Sequence, residues 1–251
     1  MTTWVLLRGL MREARHWSDF PTMFQDAVDG QPVVTLDLPG NGSLHEQTSA
    51  TSVAAMASNC HAQLRQLGHA PPYRVLALSL GAMVAVAWCE LYPREIERLV
   101  LINTSLAPYS PFYERLRPVN YPALLCLLLS GSVSQRENLM LRITSTLKSH
   151  SEQQQRILAE WMAYARQYPI TRANILRQLQ AALCYRAAPT APSAPVLLLA
   201  AQQDHLVNVK CSLTLAQHWS CAIRLHPLAG HDLPLDDSVW VIRQVREWLD
   251  S

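Results

Sequence analysis

The chain has 251 residues, 49% hydrophobic and 16% charged, which supports a sizeable core and excludes a disordered chain. The net charge is +2 with no long basic run, too weak and too dispersed for a nucleic-acid surface.

The first ten residues, MTTWVLLRGL, lack a basic segment ahead of a long apolar one, so no signal peptide is expected. Trp4–Leu7 reads as a first strand and Val33–Leu36 as a second. Val53, Met56, Ala57, Cys60, Leu64 and Leu67 then repeat at helical spacing, and Gly68 follows as a stop. Two more strands are expected at Arg74–Leu78 and Leu99–Ile102. Several of these runs are continuously apolar rather than alternating, as in strands buried on both faces of a parallel sheet.

The pattern breaks after Leu106. Pro108, Pro111, Pro118 and Pro122 open a segment with no convincing strand, which then turns helical. Ser151-Glu152-Gln153-Gln154 has the form of a capping box ahead of Ile157, Leu158, Trp161 and Met162. The segment closes with AAPTAPSAP, and strands resume at Val196–Ala200 and Ala222–Leu225. Val241, Val245 and Trp248 form a last helical stripe. This alternation predicts an α/β fold, a mostly parallel central sheet with helices on both faces. Residues 1–105 and 195–251 are expected to form the core and 106–194 a helical insertion over the sheet's edge; the alternative of two separate domains is less favoured because strands resume after the segment, at Val196. The most apolar stretch, Ala123 to Leu129, is far shorter than the ~20 residues that span a bilayer. The six cysteines are scattered without a CxxC pair and read as reduced thiols of a cytoplasmic protein, Cys211 and Cys221 being the one pair considered for a disulfide.

One stretch carries chemistry. VLALSLGAMV begins as a strand and ends as a helix, with Ser79 at the join and the small residues Ala77 and Gly81 on either side. A tight strand-to-helix turn holds such a hydroxyl above the sheet, and the next amide, that of Leu80, lies at a helix N-terminus, where unpaired N–H groups favour negative charge. Taken alone, the pattern fits a packed turn serine as well as a nucleophile. A serine needs a base, usually histidine. Of nine histidines, His231 alone stands in a loop after the last strand, on the rim where Ser79 lies. His16 could touch a pocket, and His226 reads as structural. The imidazole needs an acid. Asp204 follows the strand at Val196–Ala200, whereas Asn103 cannot serve and Asp232 leaves the loop on the wrong side. Asp204 also reads as a turn residue capping a helix near Asn208. The chain order is Ser79, Asp204, His231, each at a strand end.

With these pieces the chain resembles the α/β-hydrolase superfamily over nearly its whole length, through LLRGLMREARHW, DLPGNGS, LALSLGAMVA, LVLINTS, the Asp204 loop and AGHDLPLDD. Its compact size resembles the small cap-bearing branch that holds the MenH lyase and the BioH esterase. The resemblance implies a Ser79–His231–Asp204 triad, an oxyanion hole from the Leu10 and Leu80 amides, and an insertion acting as a cap that sets substrate choice. Arg8 and Asn41 stand where the family usually has histidine, and Ala77 where it has glycine. Met83 stands where the lyase carries an arginine.

The expected activity is a serine hydrolase, a carboxylesterase or thioesterase working through an acyl-enzyme. The alternatives are a lyase using the same triad as a base and a non-catalytic ligand-binding member of the fold. Met83, Trp161 and Tyr164 are expected in the pocket, and the substrate is a small molecule with an apolar acyl or alcohol part. No HExxH, paired Cys/His spacing or P-loop is present, so no metal or other cofactor is expected.

Overall fold

In the computed structural model, which describes residues 2–129 and 132–251, strands form where the apolar runs lie. They are β1 (Thr3–Leu7), β2 (Val33–Leu36), β3 (Tyr73–Leu78), β4 (Ile96–Ile102), β5 (Val196–Ala201) and β6 (Ala222–His226). The largest extension beyond the expected runs is at β4, which begins three residues early. One sheet contains all six, in the order β2-β1-β3-β4-β5-β6, with every neighbouring pair parallel.

Alternation along each strand explains the continuous apolar runs. Val5, Leu7, Val75, Ala77, Leu99 and Leu101 pack on one face with α2 (Val53–Gln66), α3 (Leu80–Leu91) and α9 (Lys210–Trp219). Trp4, Leu6, Leu76, Leu78, Val100 and Ile102 pack on the other with α1 (Phe20–Ala27) and α11 (Ser238–Leu249). Both faces need apolar residues, so the buried stretches of β1, β3, β4 and β5 are apolar on both sides, while the edge strands β2 and β6 keep Thr35 and Arg224. The predicted stop of α2 is a Schellman turn: the Gly68 amide donates to the Arg65 carbonyl and the His69 amide to the Leu64 carbonyl.

Between β4 and β5 lie α4 (Phe112–Arg115), α5 (Tyr121–Leu129), α6 (Val133–Thr144), α7 (Glu152–Gln167) and α8 (Arg172–Cys184). Ser151 caps α7 by accepting from the Gln154 amide at 3.2 Å, but Gln154 reaches back to the His150 amide at 2.7 Å rather than to Ser151. The insertion has a small apolar cluster of its own around Leu127, Met140, Leu141, Ile157 and Trp161. The remaining helix, α10 (Leu233–Asp236), follows the His231 loop. All six cysteines are free thiols, so Cys211 and Cys221 do not pair. Among the described residues, no helix is long and apolar enough to cross a membrane.

Candidate active site

The sheet order reverses between β1 and β3, because the chain runs from β1 outward to β2 and then returns to the other side. Open α/β sheets place their ligand sites at the carboxyl ends of the strands beside such a reversal. Ser79 leaves β3 at that point and is half-buried, with φ 57° and ψ −116°. That backbone is strained for a residue with a Cβ. The turn closes because Gly81 lets α3 approach β1: a Cβ there would stand 2.6 Å from the carbonyl oxygens of Leu7 and Arg8. Gly9 packs directly on the serine, since a Cβ at Gly9 would lie 3.1 Å from the Ser79 Cβ. Leu80 opens α3, so its amide has no intrahelical acceptor.

His231 and Asp204 meet. The imidazole Nδ1 lies 2.7 Å from Asp204 Oδ2, and both residues are buried. The other carboxylate oxygen, Oδ1, accepts from the amides of Leu206 (2.8 Å) and Val207 (2.9 Å). The aspartate is thus a turn residue and the histidine's partner at once, while Asn208, in the turn before α9, accepts from the Lys210 amide at 3.0 Å. Burial opposes the imidazolium, but the charge and hydrogen bond of Asp204, joined by Asp232, outweigh burial and Arg8 and raise the His231 pKa above its ordinary 6.5. Asn103 stands where an acid is absent. Its amide nitrogen donates to the carbonyls of Gly230 (3.2 Å) and His231 (2.7 Å), and its oxygen accepts from the Ala201 amide at 2.9 Å. It pins the histidine loop to the end of β5.

The loop after β1 carries the candidate oxyanion residue Leu10 and is held from three sides. Asn41 donates to the Arg12 carbonyl at 3.0 Å, and Gln178, fully buried on α8, accepts from the Met11 amide at 3.1 Å and donates to the Asn41 oxygen at 2.9 Å. Arg8 forms a buried two-point ion pair with Asp232. Arg12 Nη1 donates to Glu137 on α6 at 2.6 Å and lies 3.0 Å from His16 Nε2, and its guanidinium stacks 4.1 Å above the Trp161 ring. Burial, then Arg12 and Arg8, hold the His16 pKa well below 6.5, so His16 is neutral. No local pattern signals the roles of Gln178, Glu137 and Asn103, because each acts across more than 90 residues of chain. The one available signal was for Arg8, a charged residue at the end of a buried strand, which needs a buried counter-charge.

A cavity of about 70 Å³ joins these parts. Its floor includes Gly9, Leu10, Ser79 and His231, with Arg8, Arg12 and Asp232 beside them. The insertion supplies Leu116, Leu124, Met140, Ile143 and Leu179 as an apolar roof. Of the three side chains expected in the pocket, none lines this cavity. Met83 faces the sheet core, Trp161 lies beneath Arg12, and Tyr164 lines a separate cleft of about 590 Å³ between α7 and α1. Trp161 stood in a helical apolar stripe, Met83 was singled out by the resemblance and Tyr164 as an aromatic of the insertion, and none of these signals names the neighbour each side chain meets. His226 is structural, accepting from the Ala229 amide at 2.8 Å. Among the described residues, no group of three or more His, Cys, Asp or Glu side chains could hold a metal ion.

Residues 5–238 match the family described as the alpha/beta hydrolase fold. The chain belongs to that family. Among solved structures, it is similar to a candidate lipase of Acinetobacter baumannii AYE, with a TM-score of 0.79 and 22% identity over 99% of this chain and 83% of that one. It is also similar to a thermophilic esterase of Thermogutta terrifontis (TM-score 0.73, 21% identity, 100% and 90% covered). A third is a 2-hydroxy-6-oxo-6-phenylhexa-2,4-dienoate hydrolase of Rhodococcus sp. strain RHA1 (TM-score 0.79, 17% identity, 100% and 91% covered). At these identities the likeness carries the fold. No curated protein matches the chain.

Proposed function

We propose that this α/β-hydrolase is a serine hydrolase of a carboxylic ester or thioester. Ser79 attacks the carbonyl carbon. His231 takes the hydroxyl proton and passes it to the leaving group, and Asp204 holds the imidazole in the right tautomer and offsets its charge. The amides of Leu10 and Leu80 receive the oxyanion, each worth roughly 3–4 kcal/mol of transition-state stabilisation. Water then repeats the cycle and releases the acid. The observation that carries this reading is the 2.7 Å contact from Asp204 to His231, a histidine that lines the same cavity as the strained Ser79.

Residues 106–194 act as the cap in this reading, closing the apolar roof over the acyl or alcohol part. A cavity of about 70 Å³ is well below the ~300–1,000 Å³ of ordinary ligand pockets, so a short acyl group is favoured. The test is a series of p-nitrophenyl esters and acyl thioesters of increasing chain length, run with wild type and Ser79→Ala beside a fluorophosphonate probe. Turnover should peak at the short end, fall by ~10³-fold or more in the variant, and the probe should label Ser79 alone. An unlabelled serine with no ester turnover would favour lyase or binding roles.

A further inference from the structure

Arg8 and Asp232 form a buried charge pair beside the site that takes no part in the proposed proton transfers. Arg8 directly follows β1, two residues before Leu10. Asp232 directly follows His231, on the loop after β6, which is four strands from β1 in the sheet. Arg8 Nη1 donates to Asp232 Oδ1 at 3.0 Å and Nη2 to Oδ2 at 2.5 Å. The two side chains are 2% and 4% exposed, and Trp17 covers the guanidinium with its ring centroid 4.8 Å from Arg8 Cζ. Both residues line the Ser79 cavity.

We propose that Arg8 and Asp232 are a positioning pair that locks the oxyanion loop to the base loop, fixing the Leu10 amide relative to the His231 imidazole. This rests on the hydrolase reading for what is positioned, but not for the lock itself. Two parallel hydrogen bonds between a planar fork and a carboxylate fix direction as well as distance, and a ring stacked on the fork removes its remaining freedom. A single-point contact would let the two loops slide. The usual family histidine at position 8 could not make a two-point contact of this kind, so the arginine and the aspartate form one device.

The pair also sets the field at the base. The charged groups facing His231 are Asp204 from the loop after β5, Asp232 from its own loop and Arg8 from the loop after β1. Arg12 lies in the same cavity wall, and Asp236 accepts from the neighbouring Gly230 amide at 2.7 Å. Asp232 favours the imidazolium and Arg8 disfavours it. The two halves of the pair oppose each other, Asp232 being the larger, and each half alone moves the imidazole in an opposite direction.

The full chain is compared as wild type, Arg8→Met, Arg8→Lys, Asp232→Asn and the Arg8→Met/Asp232→Asn double variant. The double variant carries no unpaired charge and keeps the test open if a single variant fails to fold. His231 is titrated by imidazole NMR, and hydrolysis of p-nitrophenyl acetate is followed against pH. The His231 pKa should fall by about half a unit or more in Asp232→Asn, rise by as much in Arg8→Met and return near wild type in the double variant. Arg8→Lys keeps the charge and loses the fork. It should leave the titration in place while kcat drops ~10–100-fold with KM within about threefold. A merely structural pair would lower the folded fraction, and its charges would still move the titration in the single variants, but Arg8→Lys would not separate kcat from KM. An unchanged His231 titration across the series, or a double variant and Arg8→Lys as active as wild type, overturns the proposal. If wild type hydrolyses nothing, the hydrolase reading fails while the titration still decides whether the pair acts on His231.

Discussion

The sheet and the helical insertion solve the same packing problem to different degrees. The central strands are sealed, with Trp4, Val5, Leu6, Leu76 and Leu101 all fully buried. The insertion buries a smaller share of its apolar side chains and leaves Phe112 at 66%, Leu125 at 57% and Leu129 at 68% exposed. A sheet covered on both faces has one arrangement that hides its apolar runs. Short helices laid over a rim have many. The proposed nucleophile, base and acid stand on the sealed region and the cavity roof on the loose one, so chemistry is rigidly placed and substrate fit is not.

The widest test of this contrast sets one truncation against another. Phe24→Ala, in the sealed layer beneath Trp4, should cost about 3–5 kcal/mol in denaturant unfolding, whereas Leu125→Ala should stay within about 0.5. Equal costs would mean the insertion is packed as tightly as the core. The seam between them comes next. Glu137→Leu leaves Arg12 buried and unpaired and should cost about 3 kcal/mol or more, much of which Arg12→Met in the same chain should restore.

The pH dependence is a smaller effect. The base must be neutral to accept the serine proton, so kcat/KM should rise with pH along a limb centred above 6.5, and Asp204→Asn should move that limb down. The sign for stability is opposite. A histidine whose folded pKa is raised contributes stability that is fully present below the unfolded value and lost as pH rises through the folded one. Melting curves across the limb should therefore show the His231 contribution fading as activity grows. The smallest expected effect is at Ser79. Glycine accepts φ 57° without strain, so Ser79→Gly should abolish turnover yet raise stability by about 1 kcal/mol, where Ser79→Ala leaves the strain in place.

These contrasts follow what could be read in advance. The central strands were legible because a strand buried on both faces must be apolar throughout, and the half-exposed edge strands β2 and β6 were legible as short, mostly aliphatic runs. The Asp204–His231 contact was legible as two rim positions in a known chain order. The cavity lining was not, since Met83 packs on the sheet core, Trp161 lies beneath Arg12 and Tyr164 lines a separate cleft, places that no local pattern names. Arg8, a departure from the family pattern, became intelligible only once Asp232 was found across the rim.

The sequence by itself determined which segments are strands, where the chain turns sharply at Ser79, and which residues stand at strand ends, because these depend on periodicities of two or 3.6 residues and on local turn chemistry. Only the tertiary structure decided that Arg8 meets Asp232, that Gln178 holds Asn41 and Met11, and that the roof closes to so small a cavity. Those contacts join residues 130 or more positions apart, and their pairing is set by how the layers pack rather than by any local preference.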